Sequence, residues 1–286
     1  MVIDLHFHPA FYEDICQDAG RLRRRCDEMG YHLMSPAPLT NLDRQNTHAG
    51  IDKVVILPQD HSTRCGGDVV LSNEEMVQLR SLRPETFIAF ASVDPHRPDA
   101  VSVLERAFTQ QNLAGLKLHP AKQRFDPADR LLWPVYETCL KYDKPILFHA
   151  GLSWQPDTLT RYAHPLAFEE VALTFPRLRF CLAHMGWPWV QETCMLLIKY
   201  ENVYADTGMG YMDSPAEFFR KVFLQDMGEH WLEHNFPHKV MFGSNAPRFR
   251  PVVVKKALEA LPWRKRTLEL VLGGNARRFL GWEEET

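Results

Sequence analysis

Eight short apolar runs, each followed by a longer amphipathic segment, recur from one end of the chain to the other. The runs at 2–8, 52–58, 87–93, 114–119, 145–149, 178–184, 202–206 and 239–243 are rich in Val, Ile, Leu and Phe, as buried parallel strands are. Helical periodicity fills 73–82, 100–110, 130–142, 165–174, 189–200, 215–227 and 251–261. Strands alternating with helices in this number predict an α/β protein. Its form is one closed (β/α)8 TIM barrel over 1–286, with the reactive face at the C-terminal strand ends. Composition agrees: 45% hydrophobic and 24% charged residues supply a large core and exclude a disordered chain. A net charge of −3 exerts no strong pull toward nucleic acid or an anionic membrane.

The interval 9–49 breaks the rhythm, being too long for a simple strand-to-helix connection. Within it 21–30 reads as a short basic helix and Ser35-Pro36-Ala37-Pro38 as its terminator, so the insertion is expected to form a lid over the barrel mouth. Arg21, Arg23, Arg24 and Arg25 are expected mostly on its solvated face. The first residues show no basic run followed by an apolar stretch, and no segment has the length of a membrane span, which points to a cytoplasmic protein. Six cysteines form no Cys-x-x-Cys pair, so reduced thiols are expected and a zinc ribbon is excluded.

Five of the thirteen histidines, His6, His8, His119, His149 and His184, fall at predicted strand ends. His6 and His8 lie two apart on one strand, so both imidazoles share a face with spacing suited to one metal ion. A lone His-x-His in a strand is commonly a packing accident. Three further strand-end histidines turn it into a metal-site pattern, although imidazole alone does not identify the ion.

The motifs that carry these residues resemble the amidohydrolase superfamily, in its amidohydrolase-related branch of decarboxylases and lactonases. They are Asp4-Leu5-His6-Phe7-His8-Pro9, Gly115-Leu116-Lys117-Leu118-His119-Pro120, Pro145-Ile146-Leu147-Phe148-His149-Ala150-Gly151 and Ala183-His184-Met185-Gly186. Met241-Phe242-Gly243-Ser244 and the closing Gly273-Gly274-Asn275-Ala276-Arg277-Arg278-Phe279-Leu280-Gly281 extend the likeness over nearly the whole chain. The resemblance implies a divalent metal, zinc first with manganese or iron as alternatives, held by His6, His8 and His149, and it makes His184 the proton-transferring residue. Lys117, His119 and Trp187 are expected beside the substrate, with Arg161 and Arg248 as carboxylate clamps because guanidinium offers two parallel donors.

Asn245 departs from the pattern, since the family usually has Asp after the Phe-Gly-Ser of the eighth strand. An amide oxygen can touch a metal but cannot take a proton from water. Three readings stay open: an engineered substitution, a natural variant working through His184 alone, or a member that only binds. The expected activity is metal-dependent hydrolysis of a small amide, lactone or organic acid; the alternative is non-oxidative decarboxylation. The partner is a small carboxylate or carbonyl compound, with no nucleic acid and no membrane, and a monomer and a homodimer both fit the sequence.

Overall fold

The computed structural model describes residues 1–64, 67–208 and 212–282. Its parallel strands are β1 (Ile3–Phe7), β2 (Lys53–Ile56), β3 (Phe87–Ala89, resuming as Ala91–Ser92), β4 (Leu116–Leu118), β5 (Ile146–Phe148), β6 (Phe180–Leu182), β7 (Val203–Asp206) and β8 (Val240–Met241). The first half of β3 pairs with β2 and the second with β4, and pairing then continues through β8. The ring closes between β8 and β1: Leu5 N–H donates to Phe242 O (2.9 Å), Asn245 N–H to His6 O (2.8 Å) and His8 N–H to Ala246 O (2.8 Å). All eight expected strands are present. Each is shorter than its apolar run, because the remaining residues leave the ladder to build the rims.

Inward-facing residues Ile3, Leu5, Val55, Leu57, Ile88, Phe90, Leu147, Cys181, Tyr204 and Met241 fill the barrel, and Ala276, Phe279 and Leu280 pack with them. The opposite strand faces join the outer helices in a second, larger apolar cluster. β1 breaks its own alternation. The register runs from Asp4 opposite Val54 to Phe7 opposite Ile56, so β1 carries one residue more than its partner. This β-bulge turns Phe7 outward to the helix layer and brings His6 and His8 onto the interior side that Ile3 and Leu5 occupy below them.

Between β1 and β2 lie α1 (Ala19–Met29) and α2 (Leu39–Ala49). α2 packs against the outer helix Pro251–Glu259 and therefore belongs to the barrel's ring, so the added stretch is 9–38 rather than 9–49. α1 is the expected basic helix. The Asp18 side chain accepts Arg21 N–H at its start, and Gly30, at φ 72°, ends it well before Ser35-Pro36. Arg21, Arg23 and Arg24 are exposed, as expected of most of this helix's arginines, and Arg25 alone of the four is buried. It donates to the carbonyls of Ala10, Ile15 and Val70 and to the Glu75 carboxylate, so it ties α1 to the inserted loop. Arg21 and Arg24 pair with Glu75 and Asp68. Cys16, Cys26, Cys139, Cys181 and Cys194 are free thiols, while Cys65 lies outside the described residues. Among the described residues no helix is long and apolar enough to cross a membrane.

Candidate active site

The C-terminal ends of β1, β4, β5, β6 and β8 converge on a cavity of about 80 Å³. At its floor the imidazoles of His6 and His8 meet with their Nε2 atoms 3.2 Å apart. Each ring's other nitrogen faces an acceptor: His6 Nδ1 lies 2.8 Å from Asp206 Oδ2, and His8 Nδ1 lies 3.4 Å from Leu57 O. With Nδ1–H donated to Asp206, the His6 Nε2 lone pair is bare and points at His8 Nε2, so a cation placed there would meet both rings. Gly243 makes room for this pair, since a Cβ there would stand 2.8 Å from His6 Cβ.

Asp206 ends β7, on the same face as Tyr204, and is fully buried. Its Oδ1 accepts the backbone N–H groups of His184 and Gly208, both at 2.8 Å, while Oδ2 accepts the His6 Nδ1–H. Burial pushes this carboxyl upward against the opposing pull of His184 and Lys117. His184 sits in the left-handed region at φ 61°, followed by Met185 at 52°, and Asn245 across the barrel has φ 57°. Such backbone persists where surrounding contacts over-determine it. The His184 N–H bond to Asp206 and the Asn245 N–H bond to His6 O are two of those contacts.

His184 donates Nδ1–H to Gly208 O (2.8 Å), which leaves Nε2 bare. Its ring lies between those of His6 and His149, with centroids 4.9 and 5.0 Å away. His149 stacks on His119 at 3.9 Å, and its Nε2 is 3.3 Å from Leu152 O. Burial lowers the proton affinity of all these rings: His184 falls to about 3, and His6, His8, His119 and His149 fall well below the ordinary histidine value. Five neutral imidazoles therefore share one cavity with Lys117, whose ammonium burial also lowers, to about 8.

Of the residues singled out in the sequence, His6, His8, Lys117, His119, His149, His184, Asn245 and Arg248 all line the cavity. Two do not. Trp187 packs toward Phe218, with ring centroids 6.5 Å apart, because the turn after β6 carries it away from the mouth. Arg161 is exposed on the turn Thr160–Ala163 and lies over the Tyr162 ring. Trp154 takes the wall position instead, against Gly30, where a Cβ would stand 2.7 Å from its ring. Glu28, Tyr31, Gln59, Lys122 and Ser153 also line the cavity and went unnoticed in the sequence. Asp206 was legible as the last residue of a predicted strand; Glu28 lies in α1 and Lys122 in the short helix Pro120–Gln123, and neither they nor Tyr31, Gln59 and Ser153 lie within a recognisable motif.

Among the described residues, His6, His184 and Asp206 form the group of three metal-competent side chains whose ligand atoms all lie within 4.8 Å of one another. Two imidazoles and a carboxylate, all buried, suit a divalent ion. The closed barrel and this site define a metal-competent enzyme scaffold with its chemistry at the C-terminal rim. A family model described as Amidohydrolase matches residues 3–282, and the chain belongs to that family, the amidohydrolase-2 group.

Three solved structures share the fold. An uncharacterised TIM-barrel protein of Bordetella bronchiseptica has a TM-score of 0.76 and 21% identity, with 98% of each chain covered. The 4-oxalomesaconate hydratase of Rhodopseudomonas palustris has a TM-score of 0.66 and 19% identity, covering 99% of this chain and 96% of its own. A dihydroxybenzoic acid decarboxylase of Polaromonas, solved with manganese and the inhibitor 2-nitroresorcinol, has a TM-score of 0.67 and 16% identity, covering 98% and 96%. No curated protein matches the chain.

Asp206→Asn tests the central contact. The new amide nitrogen faces His6 Nδ1 donor to donor, so the His6 proton is expected to move to Nε2. Divalent-metal affinity should then fall about 10–100-fold, the usual effect of losing such a supporting carboxylate. Imidazole ¹⁵N chemical shifts and metal titration check the two parts separately.

Proposed function

We propose that the protein is a metal-dependent, non-oxidative decarboxylase of a small ring-bearing carboxylic acid. The observation that carries this reading is Lys117, only 2% exposed at the cavity floor, whose ammonium has no hydrogen bond or ion pair among the described residues. The pull of Asp206 does not offset the burial of this ammonium, and a substrate carboxylate in the cavity is a partner that matches it. Asn245 supports the same choice. Hydrolysis asks for a group that takes a proton from water, Asn cannot do so, and the wall carboxylate Glu28 is engaged by Lys122 and Arg64. The decarboxylase and hydratase that share this barrel agree with a lyase reading.

Decarboxylation makes the opposite demand. The bond to the carboxyl carbon breaks, its electron pair stays on the substrate carbon, CO₂ departs, and that carbon receives one proton. His184 is the group we assign to relay that proton: its bare Nε2 takes it from solvent, which the substrate carboxylate beside it favours, and passes it to the carbon as CO₂ leaves. Lys117 orients the reacting carboxylate, and His119 lines the wall beside it. The bare Nε2 of a neutral His184 equally suits a base, so hydrolysis of an amide or lactone is the second reading.

For the metal we propose His6, His8 and His149 as ligands, with Asp206 holding His6 from behind rather than ligating. The Asp206 oxygens are already occupied by three N–H donors, whereas the bare His6 Nε2 points at His8 Nε2 and has no other use for its lone pair. A divalent ion held there would polarise a carboxylate or hydroxyl of the substrate. The segment 9–38 acts as a lid in this proposal. A cavity of about 80 Å³ is smaller than the roughly 150 Å³ that holds benzene in an apolar protein cavity, so a ring enters only as the residues over the mouth give way.

Three outcomes are expected. His8→Ala loses the metal by elemental analysis, whereas a centre built on His6, His184 and Asp206 alone would retain it. Metal-loaded protein given hydroxybenzoic acids in H₂¹⁸O releases CO₂ with no ¹⁸O in the organic product, and His184→Asn slows this about 10²–10⁴-fold while keeping its metal. Solvent ¹⁸O in the product would instead establish hydrolysis. Benzoate affinity stays level up to about pH 8, where free Lys117 begins to lose its proton, and declines above it, because the bound anion favours the charged amine. The decline should be smaller in Lys117→Met, as measured by titration calorimetry from pH 6 to 10.

A further inference from the structure

The cavity wall carries Lys117, Lys122 and Arg248 but only one carboxylate, Glu28. A single reacting carboxylate offsets one of the two excess positive charges, and a bound metal would add to the surplus. Lys122 and Arg248 both reach the end of α1. Lys122 Nζ donates to Glu28 O at 3.0 Å and lies 3.5 Å from the Glu28 carboxylate. That carboxylate is shared with Arg64 at 3.4 Å, and Arg64 also lies 3.5 Å from Asp157, so Lys122 holds its single acidic partner among the described residues in common with another cation. Arg248 has no acidic partner among the described residues. Its Nη2 donates to Met29 O at 2.8 Å and its guanidinium lies 5.7 Å from the Tyr31 ring centre.

Neutral polar atoms in the same cavity are also incomplete. Tyr31 OH and Ser153 Oγ line the cavity, are shielded from solvent, and have no hydrogen-bond partner among the described residues. Buried hydroxyls without partners are costly and uncommon, and these two line the same cavity as the two cations.

We propose that the substrate carries a second anionic group, a carboxylate on the far side of its ring, which Lys122 and Arg248 bind with Tyr31 OH and Ser153 Oγ as its hydroxyl partners. This deepens the carboxylate reading above and rests on it. Binding moves Lys122 and Arg248 from the carbonyls of Glu28 and Met29 onto the anion, so the same contacts that hold the end of α1 become the substrate's distal grip. The guanidinium fork suits a carboxylate bidentately, which a single carbonyl does not use.

The test compares benzoate with isophthalate, its analogue with a second carboxylate across the ring, by titration calorimetry on the metal-loaded protein at pH 7. Isophthalate should bind at least about tenfold tighter, the scale of one charge-assisted hydrogen bond. Lys122→Met and Arg248→Met should each weaken isophthalate far more than benzoate and so erase most of that advantage. Arg248→Lys, which keeps the charge and loses the fork, should be intermediate, and thermal unfolding of each variant verifies that it is folded. Equal affinity for the two acids, or variants that weaken both alike, would overturn the proposal and leave Lys122 and Arg248 as fasteners of α1. CO₂ release from hydroxybenzoates separates the two levels. Turnover without selectivity for the second carboxylate removes only the distal site. Isophthalate selectivity without CO₂ release removes only the decarboxylase reading. Failure of both acids to bind removes both.

Discussion

The carboxylate of Asp206 is the contact on which the rest of the site depends. Buried at the end of β7, it fixes the tautomer of His6 through Nδ1 and captures the backbone N–H groups of His184 and Gly208. The first bond leaves His6 Nε2 facing His8. The second helps hold His184 in a left-handed conformation that an L-residue adopts only when its surroundings insist. One side chain thus sets both the electron pair offered to a cation and the angle at which the adjacent imidazole enters the cavity. Gly208 and Gly243 are the spatial counterpart, since a Cβ at either would meet His6 or its neighbours at about 3 Å or less.

Above this floor the chemistry is governed by burial and charge imbalance. Desolvation keeps the imidazoles neutral, which suits them to coordination and proton exchange. The same desolvation makes unpaired ammonium groups expensive, and Lys117 makes no ion pair among the described residues, with only the pull of Asp206 set against its burial. α1 is anchored independently by Arg25, which supplies hydrogen bonds to three carbonyls and to Glu75. The two cations that touch its last carbonyls are therefore not its sole attachment, and they can exchange those carbonyls for a ligand.

The eight strands, their order and the histidine-bearing rim were legible in the chain, because a buried parallel strand writes itself as a continuous apolar run and a strand-end residue has a fixed place in a barrel. His6, His8, His119, His149 and His184 followed from that alone, Arg248 from lying just past β8, and Lys117 and Asn245 from the family resemblance. The sequence also marked the stretch after β1 as an insertion by its length. It did not separate α2 from that stretch, since an outer helix and an inserted helix have the same amphipathic pattern and differ only in what they pack against.

Tertiary structure decided the remainder. The bulge in β1 determines that His6 and His8 face inward, and it is invisible in sequence because it is a mismatch between two strands rather than a property of either. Trp187 and Arg161 turn away from the mouth while Trp154, Tyr31, Lys122 and Ser153 turn toward it, as loop geometry and packing dictate. The apolar pattern therefore determined the barrel and which residues stand at its reactive rim, since burial acts on each strand locally. Which atoms of those residues meet, and with what proton on each, was decided only when Asp206 and His6, two hundred residues apart, came within 2.8 Å.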